Sequence, residues 1–319
     1  MTEDTAYQTL DLSVIIPVLN EANSLVPLHS KLAQVLPTVA SQYEILFVDD
    51  GSTDASPEAL EQLCGQDPHV RVIQFRRNFG KSAALATGFS EARGNIVITM
   101  DADLQDEPEE IPRFLEALSQ GYDLVSGWKY PRLDPFSKTL PSALYNGTTR
   151  WLTGVPLHDF NRGFKAYRLD VVRELRIYGE LHRYIPVLAH WRGFKVSEIK
   201  VRHHPRQYGQ SKYGWERLSQ GLFDLITVLF LNRYTRRPLH LFGWLGLLIF
   251  LAGGLIELYL ALLWFEGIRP IGTRPLFSVG ILLLFMGIQL VSFGLLAELI
   301  TQSVSTSSEQ DYSIKRRLP

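Results

Sequence analysis

The chain has 319 residues, with 32 Lys and Arg against 33 Asp and Glu and a formal net charge of -1. That balance gives no reason to expect a nucleic acid as partner, and a single cysteine, Cys64, excludes an intramolecular disulfide and a Cys/His zinc cluster. The length suits a catalytic domain plus an appendage, and long apolar stretches are confined to the last third.

The polar start, Met1 to Leu12, lacks the basic and apolar segments of a signal peptide, so the first domain is expected to stay where it is made. Leu12-Ser-Val-Ile-Ile-Pro-Val-Leu19 predicts a buried strand that reaches a loop near Pro17. Asn20-Glu-Ala-Asn23 then reads as the cap of a helix over about Ser24–Leu36. Glu44–Val48 is a second buried strand, and Asp49-Asp-Gly-Ser-Thr-Asp54 a polar turn before a helix near Pro57–Cys64. Val70–Phe75 and Asn95–Met100 repeat the pattern, with a helix over about Lys81–Ala92 between them. Strands alternating with helices at this spacing predict an α/β fold with a mostly parallel sheet covered on both faces.

Ligands of such sheets bind beyond the carboxyl ends of the strands, so Asp49, Asp50, Asp101 and Asp103 are expected to share one cleft. Four carboxylates on one edge repel each other unless a cation joins them. Asp54 is equally well explained as a turn or helix cap.

Asp123–Gly127 predicts another strand, Trp128–Thr139 a long basic loop and Ser142–Thr153 a helix. The polar and aromatic stretch His158–Tyr167 leads into a helix near Leu169–Leu175, and Lys195–Val201 resembles an edge strand. A basic segment, Arg202–Tyr213, follows. Trp215–Tyr234 has helical spacing suited to a membrane surface, with a buried core helix as the alternative.

Leu239–Trp264 and Leu276–Ile300 are each about 25 residues, or roughly 38 Å as helix, enough to cross a hydrocarbon core of about 30 Å. Joined by Glu266–Pro275, they predict a transmembrane hairpin. Arg233, Arg236 and Arg237 precede the first span and Lys315, Arg316 and Arg317 follow the second, which places the first domain and both termini in the cytoplasm. Glu298 lies near the inner end and Glu257 deeper. The expected organisation is a catalytic domain (1–213), amphipathic juxtamembrane helices (214–238), the two-helix hairpin (239–301) and a cytoplasmic tail (302–319).

Asp101-Ala-Asp103 at the end of a buried strand suits a hard cation, Mg2+ or Mn2+, bridging carboxylates to phosphate oxygens. Gly80-Lys-Ser82 is not a Walker A loop, because Phe75 stands where its first glycine belongs; Lys81 is equally a solvated lysine at a helix start. Arg206, Ser211 and Lys212 form a basic segment suited to a donor diphosphate, a lipid phosphate or anionic headgroups, and Arg132 and Lys138 carry similar chemistry.

Taken together, Val14-Ile-Ile-Pro-Val-Leu-Asn-Glu21, Val48–Asp54, Arg76–Gly88, Asp101-Ala-Asp-Leu-Gln105, Asp159–Tyr167 and Arg206–Tyr213 resemble the family 2 glycosyltransferases of GT-A fold. Within them the likeness is to the polyprenyl-phosphate group, which includes dolichyl-phosphate mannose synthases and bacterial bactoprenol glucosyltransferases. The resemblance implies that Pro17, Asn20, Glu21, Asp49 and Asp50 hold the base and ribose of a nucleotide-sugar, with Lys81 bordering the nucleotide. It implies that Asp101, Asp103 and Gln105 hold the metal and diphosphate and that Asp159 is the base or acceptor-positioning group, with a helix cap as its alternative; His182 and Arg183 suit the lipid phosphate and, equally, core or surface packing. A phosphate monoester, with a second pKa of ~6, is already a nucleophile, which favours geometry over proton removal for Asp159.

The implied activity is inverting transfer of a hexose, with glucose from UDP-glucose foremost, to polyprenyl (undecaprenyl) phosphate at the cytoplasmic face of the inner membrane. A GDP-mannose-dependent transferase, a polysaccharide synthase and a non-enzymatic sugar-nucleotide sensor stay open as alternatives. A homo-oligomer is neither required nor excluded.

Overall fold

The computed structural model describes residues 10–130, 136–175, 181–202, 238–268 and 272–305, together with 177, 179 and 270. These residues fall into two compact units, one within 10–202 and one within 238–305.

The first unit is built on seven strands: β1 (Leu10–Val18), β2 (Tyr43–Asp49), β3 (Val70–Gln74), β4 (Gly94–Thr99), β5 (Leu124–Lys129), β6 (Lys165–Arg168) and β7 (Val196–Val201). Their order across the sheet is β3-β2-β1-β4-β6-β5-β7. All neighbours pair in parallel except β6, which runs antiparallel to both β4 and β5. The helices are α1 (Ala22–Val39), α2 (Ser56–Gln66), α3 (Lys81–Glu91), α4 (Ile111–Ser119), α5 (Phe136–Thr153), α6 (Leu169–Glu174) and α7 (Ile185–Trp191), with 3-10 turns at Pro108–Glu110 and Leu181–Tyr184.

Every residue of β2 is buried, as its apolar run Ile45–Val48 requires of a strand covered on both faces. Leu25, Leu28, Leu32 and Leu36 recur at helical spacing on the buried face of α1 and pack into the same core as Ile45 and Phe47. Each such side chain contributes about 1.5–3 kcal/mol by leaving water. Gly88 lets α3 lie close on β1, since a Cβ there would stand 2.4 Å from Ile15 Cγ2.

At the amino ends of the strands the polar groups are closed off. The buried Glu44 accepts from Ser13 Oγ at 2.6 Å, the Arg93 N–H at 2.9 Å and Arg71 Nη1 at 2.7 Å. The carboxyl ends differ. There β1 pairs with β4 only as far as Ile15, whereas its pairing with β2 continues to Val18. Pro17, which has no N–H, sits just past the last β1–β4 pair. Strand order also reverses between β1 and β4, the switch point at which open α/β sheets form a crevice.

Several boundaries differ from the sequence reading. β5 runs on through Trp128 and Lys129 because β7 pairs with both, so the expected loop starts later. α5 begins at Phe136, not near Ser142, and runs through Pro141, which has no N–H to give the helix. β6 was not expected at all. Asn20 does not cap α1; it takes a positive φ of 58° and binds the 52–53 turn instead. Glu21 stands at the N-cap of α1, and Asp54 accepts the first N–H groups of two helices, from Ala22 at 3.3 Å and from Ser56 at 3.0 Å. Arg132, Arg206, Ser211, Lys212 and the amphipathic segment 215–234 lie outside the described residues.

The second unit comprises α8 (Pro238–Phe265) and α9 (Pro275–Ser305), both long and apolar enough to cross a membrane, with 17% of each apolar window buried. A core helix of a soluble protein would bury far more. Their mutual face is glycine: a Cβ on Gly246 would stand 2.7 Å from the Gly287 carbonyl oxygen, and one on Gly253 would stand 2.8 Å from that of Gly280. Small residues seven apart on both helices let the backbones approach closely. Glu298 accepts the Leu239 N–H at 3.3 Å and so satisfies a free donor at the start of α8, a carboxylate at the positive helix end.

Gly246→Leu is expected to force the helices apart and lower the thermal midpoint of the detergent-purified protein by several degrees, an overpacking cost of about 1–3 kcal/mol. Gly254→Ala, where nothing lies within 4 Å, should leave it unchanged or slightly raised. Equal midpoints for the two variants, measured by intrinsic fluorescence, would contradict the packing.

Candidate active site

Four chain segments meet beyond the carboxyl ends of β1, β2 and β4. Asp49 ends β2, and its Oδ1 accepts the Ser52 N–H at 3.0 Å, closing the turn. Asp50 spans to the next loop: its two oxygens accept the N–H groups of Phe79 at 2.7 Å and Gly80 at 2.9 Å. Gly51, at φ 72°, packs so tightly on Arg77 that a Cβ would stand 2.4 Å from a backbone carbon. Asp50 thereby orders the Arg76–Lys81 loop that starts α3. Glu21, at the head of α1, donates its N–H to Ser56 Oγ at 2.9 Å.

From that helix start Lys81 Nζ reaches Asp101 Oδ1 in an ion pair, with each side chain about one-third exposed (33% and 35%). On its other side Asp101 lies against Gly163, where a Cβ would stand 2.4 Å from Oδ1 and 2.6 Å from Oδ2. Burial pushes the Asp101 pKa up, but the charge and hydrogen bond of Lys81, with the charges of Arg162 and Lys165, outweigh it and hold the carboxyl below its ordinary value. Asp103 follows two residues on and accepts the Gln105 N–H at 3.2 Å across Leu104, whose φ is 60°.

The antiparallel β6 brings a second set of charges to the same place. Its register sets Lys165 opposite Thr99, and Thr99 Oγ1 donates to the Gly163 carbonyl at 2.7 Å, so the Asn161–Phe164 turn sits over the exit of β4. Arg162 pairs with the buried Asp106, and Lys165 Nζ donates to the Arg162 carbonyl. Burial pushes Asp106 up to about 6, opposed by Arg162 and reinforced by Asp101 and Asp103. Burial likewise pushes Lys165 down to about 7, reinforced by Lys81 and opposed by Asp159 and Asp101. Asp106, Arg162 and Lys165 were not singled out from the sequence. Their signal was the concentration of polar residues in His158–Tyr167 and a third Asp just beyond Asp101-Ala-Asp103.

Asp159 is buried, and its Oδ1 accepts the Asn161 N–H at 3.1 Å. Its loop is pinned from β7: Glu198 accepts the His158 N–H at 2.7 Å and pairs with His158 Nδ1, while Trp128 stacks on the His158 ring at 4.1 Å. His182 is not on an open surface. Its Nδ1 meets Ser82 Oγ at 2.9 Å and its N–H donates to the same oxygen at 3.2 Å, while burial and the charges of Lys81 and Arg183 push its pKa far down. It is a neutral latch between the Leu181–Tyr184 turn and α3. Arg183 lies in the same turn, and the backbone of Lys138 lies in α5.

Among the described residues no three His, Cys, Asp or Glu side chains converge on one point. Asp101 and Asp103 still form a donor set that fits a Mg2+-like ion, which takes one or two carboxylates and completes its shell with water and substrate phosphate.

The family model described as glycosyl transferase family 2 matches residues 13–176. The chain is 38% identical over 301 residues to dodecaprenyl-phosphate galacturonate synthase of Rhizobium johnstonii, covering 93% of this chain and 89% of that one. It is also 38% identical over 296 residues to undecaprenyl-phosphate 4-deoxy-4-formamido-L-arabinose transferase of Pseudomonas paraeruginosa, covering 92% and 86%. Among solved structures, glucosyl-3-phosphoglycerate synthase from Mycobacterium tuberculosis in complex with Mn2+ and uridine-diphosphate-glucose superposes with a TM-score of 0.55 at 18% identity, over 70% of this chain and 79% of that one. This last likeness is one of fold.

A lysine whose folded pKa lies below its unfolded value of 10.5 contributes stability that is fully present above that value and is lost as pH falls through about 7. The thermal midpoint of the unaltered protein relative to Lys165→Met should therefore climb between about pH 7 and pH 10. A difference independent of pH across that window would show that Lys165 is not a buried, charge-opposed group.

Proposed function

This chain belongs to glycosyl transferase family 2, and we propose that it transfers a sugar from a nucleotide-sugar, with a divalent metal, to a polyprenyl phosphate at the cytoplasmic membrane face. The observation that carries the reading is the Asp101–Lys81 ion pair, with Asp103 two residues on, at the β1–β4 switch point, a site whose charges suit a metal and a diphosphate. The names of both relatives describe sugar transfer on long polyprenyl phosphates, and the chain covers most of each. The apolar helices α8 and α9 suit an enzyme whose acceptor lives in a bilayer.

In this reading residues 1–213 form the catalytic domain, 239–301 span the inner membrane, and both termini lie in the cytoplasm. Pro17, Asn20, Glu21 and Asp49 line the nucleotide side of the crevice, while Asp50 shapes it by holding the Phe79–Gly80 backbone. Asp101 and Asp103, with Gln105, would hold Mg2+ or Mn2+, which when bound neutralises diphosphate charge. Arg206, Ser211 and Lys212 serve the phosphates. Asp159, held rigidly by the Glu198–His158 clamp, orients the acceptor. Because the acceptor phosphate is ionised at neutral pH, with a second pKa of ~6, it attacks the anomeric carbon without a prior proton transfer. The nucleotide diphosphate leaves from the opposite face, inverting the configuration. Glucose from UDP-glucose is the first donor to test; the relatives' names add a uronic acid and a 4-formamido pentose to the panel.

Purified protein given radiolabelled UDP- and GDP-sugars and undecaprenyl phosphate should form lipid-linked product from one donor. Asp103→Ala or EDTA should reduce the rate by about two orders of magnitude. Nucleotide binding with no product from any donor would favour a sensor. Gly163→Ala, which must displace the Asp101 carboxylate, should lower kcat by at least ~10-fold with unchanged circular dichroism. Full activity in that variant would remove Asp101 from the site.

A further inference from the structure

We propose that Lys81 is a resident counter-cation of Asp101 that a divalent ion must displace, so that metal and nucleotide diphosphate enter together and the freed ammonium passes to the diphosphate. This rests on the reading that Asp101 is a metal ligand.

The Asp101 carboxylate has one closed side and one occupied side. Behind it Gly163 is so near that no Cβ could be added, at 2.4–2.6 Å from the carboxylate atoms. In front of it stands the Lys81 ammonium. The other nearby cations are committed elsewhere, Arg162 to Asp106 and Lys165 to the Arg162 carbonyl. Lys81 is also delivered from a fixed root. The Gly88–Ile15 approach seats α3 on β1, and Ser82, the next residue, is latched to His182 through both its ring and its N–H. The Lys81 side chain itself is one-third exposed.

Two cations on one carboxylate repel each other, so a metal reaching Asp101 has to move Lys81. Among the described residues the protein offers no cluster of three acidic, His or Cys ligands with which to win that exchange. A diphosphate changes the balance twice over: it adds oxygen ligands for the metal, and it gives the displaced ammonium a new anion. Lys81 therefore opposes metal binding to the empty enzyme and favours it once donor is present.

Mn2+ binding to the detergent-purified full chain, followed by electron paramagnetic resonance without and with UDP, separates the cases. Without UDP, Lys81→Met and Lys81→Gln should each bind Mn2+ about fivefold or more tightly than the unaltered protein, whereas Lys81→Arg should match it. With UDP the order should reverse, and UDP itself should bind the Met and Gln variants more weakly. Unchanged or weaker Mn2+ binding by both variants without UDP would overturn the counter-cation role, provided Asp101→Asn abolishes binding. If Asp101→Asn leaves Mn2+ binding intact, the metal is not at Asp101, and the assignment of the metal site falls together with this inference.

Discussion

Burial disfavours a charged carboxylate, and at the carboxyl end of the sheet the first unit gathers cations that hold Asp101 below its ordinary pKa against that cost. Two unit charges 4 Å apart interact by roughly 4 kcal/mol at an effective dielectric constant of 20, comparable to a large share of a domain's net stability. Cations are brought from two directions to offset the cost of burial. Lys81 comes from the start of α3, and Arg162 and Lys165 come from the entry to β6. The second delivery is why a short antiparallel strand interrupts an otherwise parallel sheet. Only a strand running back toward β4 sets residues that precede it over the β4 exit, as the Thr99–Lys165 register does.

The two ends of the sheet solve opposite problems. At the amino end Glu44 is enclosed and hydrogen-bonded by Ser13, Arg71 and Arg93, an arrangement with no exchangeable partner. At the carboxyl end the backbone is held just as firmly, by Asp49, Asp50 and Asn20 acting on turn N–H groups, but Lys81 and Asp101 stay within reach of solvent. Rigid loops carrying exchangeable charges are what a charged, departing ligand needs. The scaffold holds its geometry while the counter-ions change partners.

The alternation of apolar strands and helices made the parallel core legible, because a strand buried on both faces is a short apolar run between turn signals, as Ile45–Val48 is. The cleft was legible for the same reason, through acids placed directly after such strands. β6 was not, since Lys-Ala-Tyr-Arg has no apolar run and becomes a strand only through partners on both sides. Asp54 has the turn or cap role expected of it, since it accepts N–H groups at the heads of α1 and α2. Asn20 instead faces the 52–53 turn, because both residue types can serve either place and only the fold decides which loop each one faces. For His182 the sequence left an acceptor-phosphate role and packing equally open, and its contact with Ser82 could not be read there because the partner lies 100 residues away.

The hairpin follows a different logic, because lipid offers its apolar side chains nothing to escape from. Association of α8 and α9 then depends on close backbone approach, which explains why glycine, a poor helix former in water, recurs at Gly246, Gly253, Gly280 and Gly287 along the shared face. The bulky residues are turned outward, with Leu248, Leu255, Phe285 and Ile288 all exposed. Glu298 on the head of α8 completes a pair of helices that satisfies its own polar terminus. A membrane-spanning hairpin confines the enzyme to the plane in which a lipid phosphate diffuses, and so raises the local acceptor concentration.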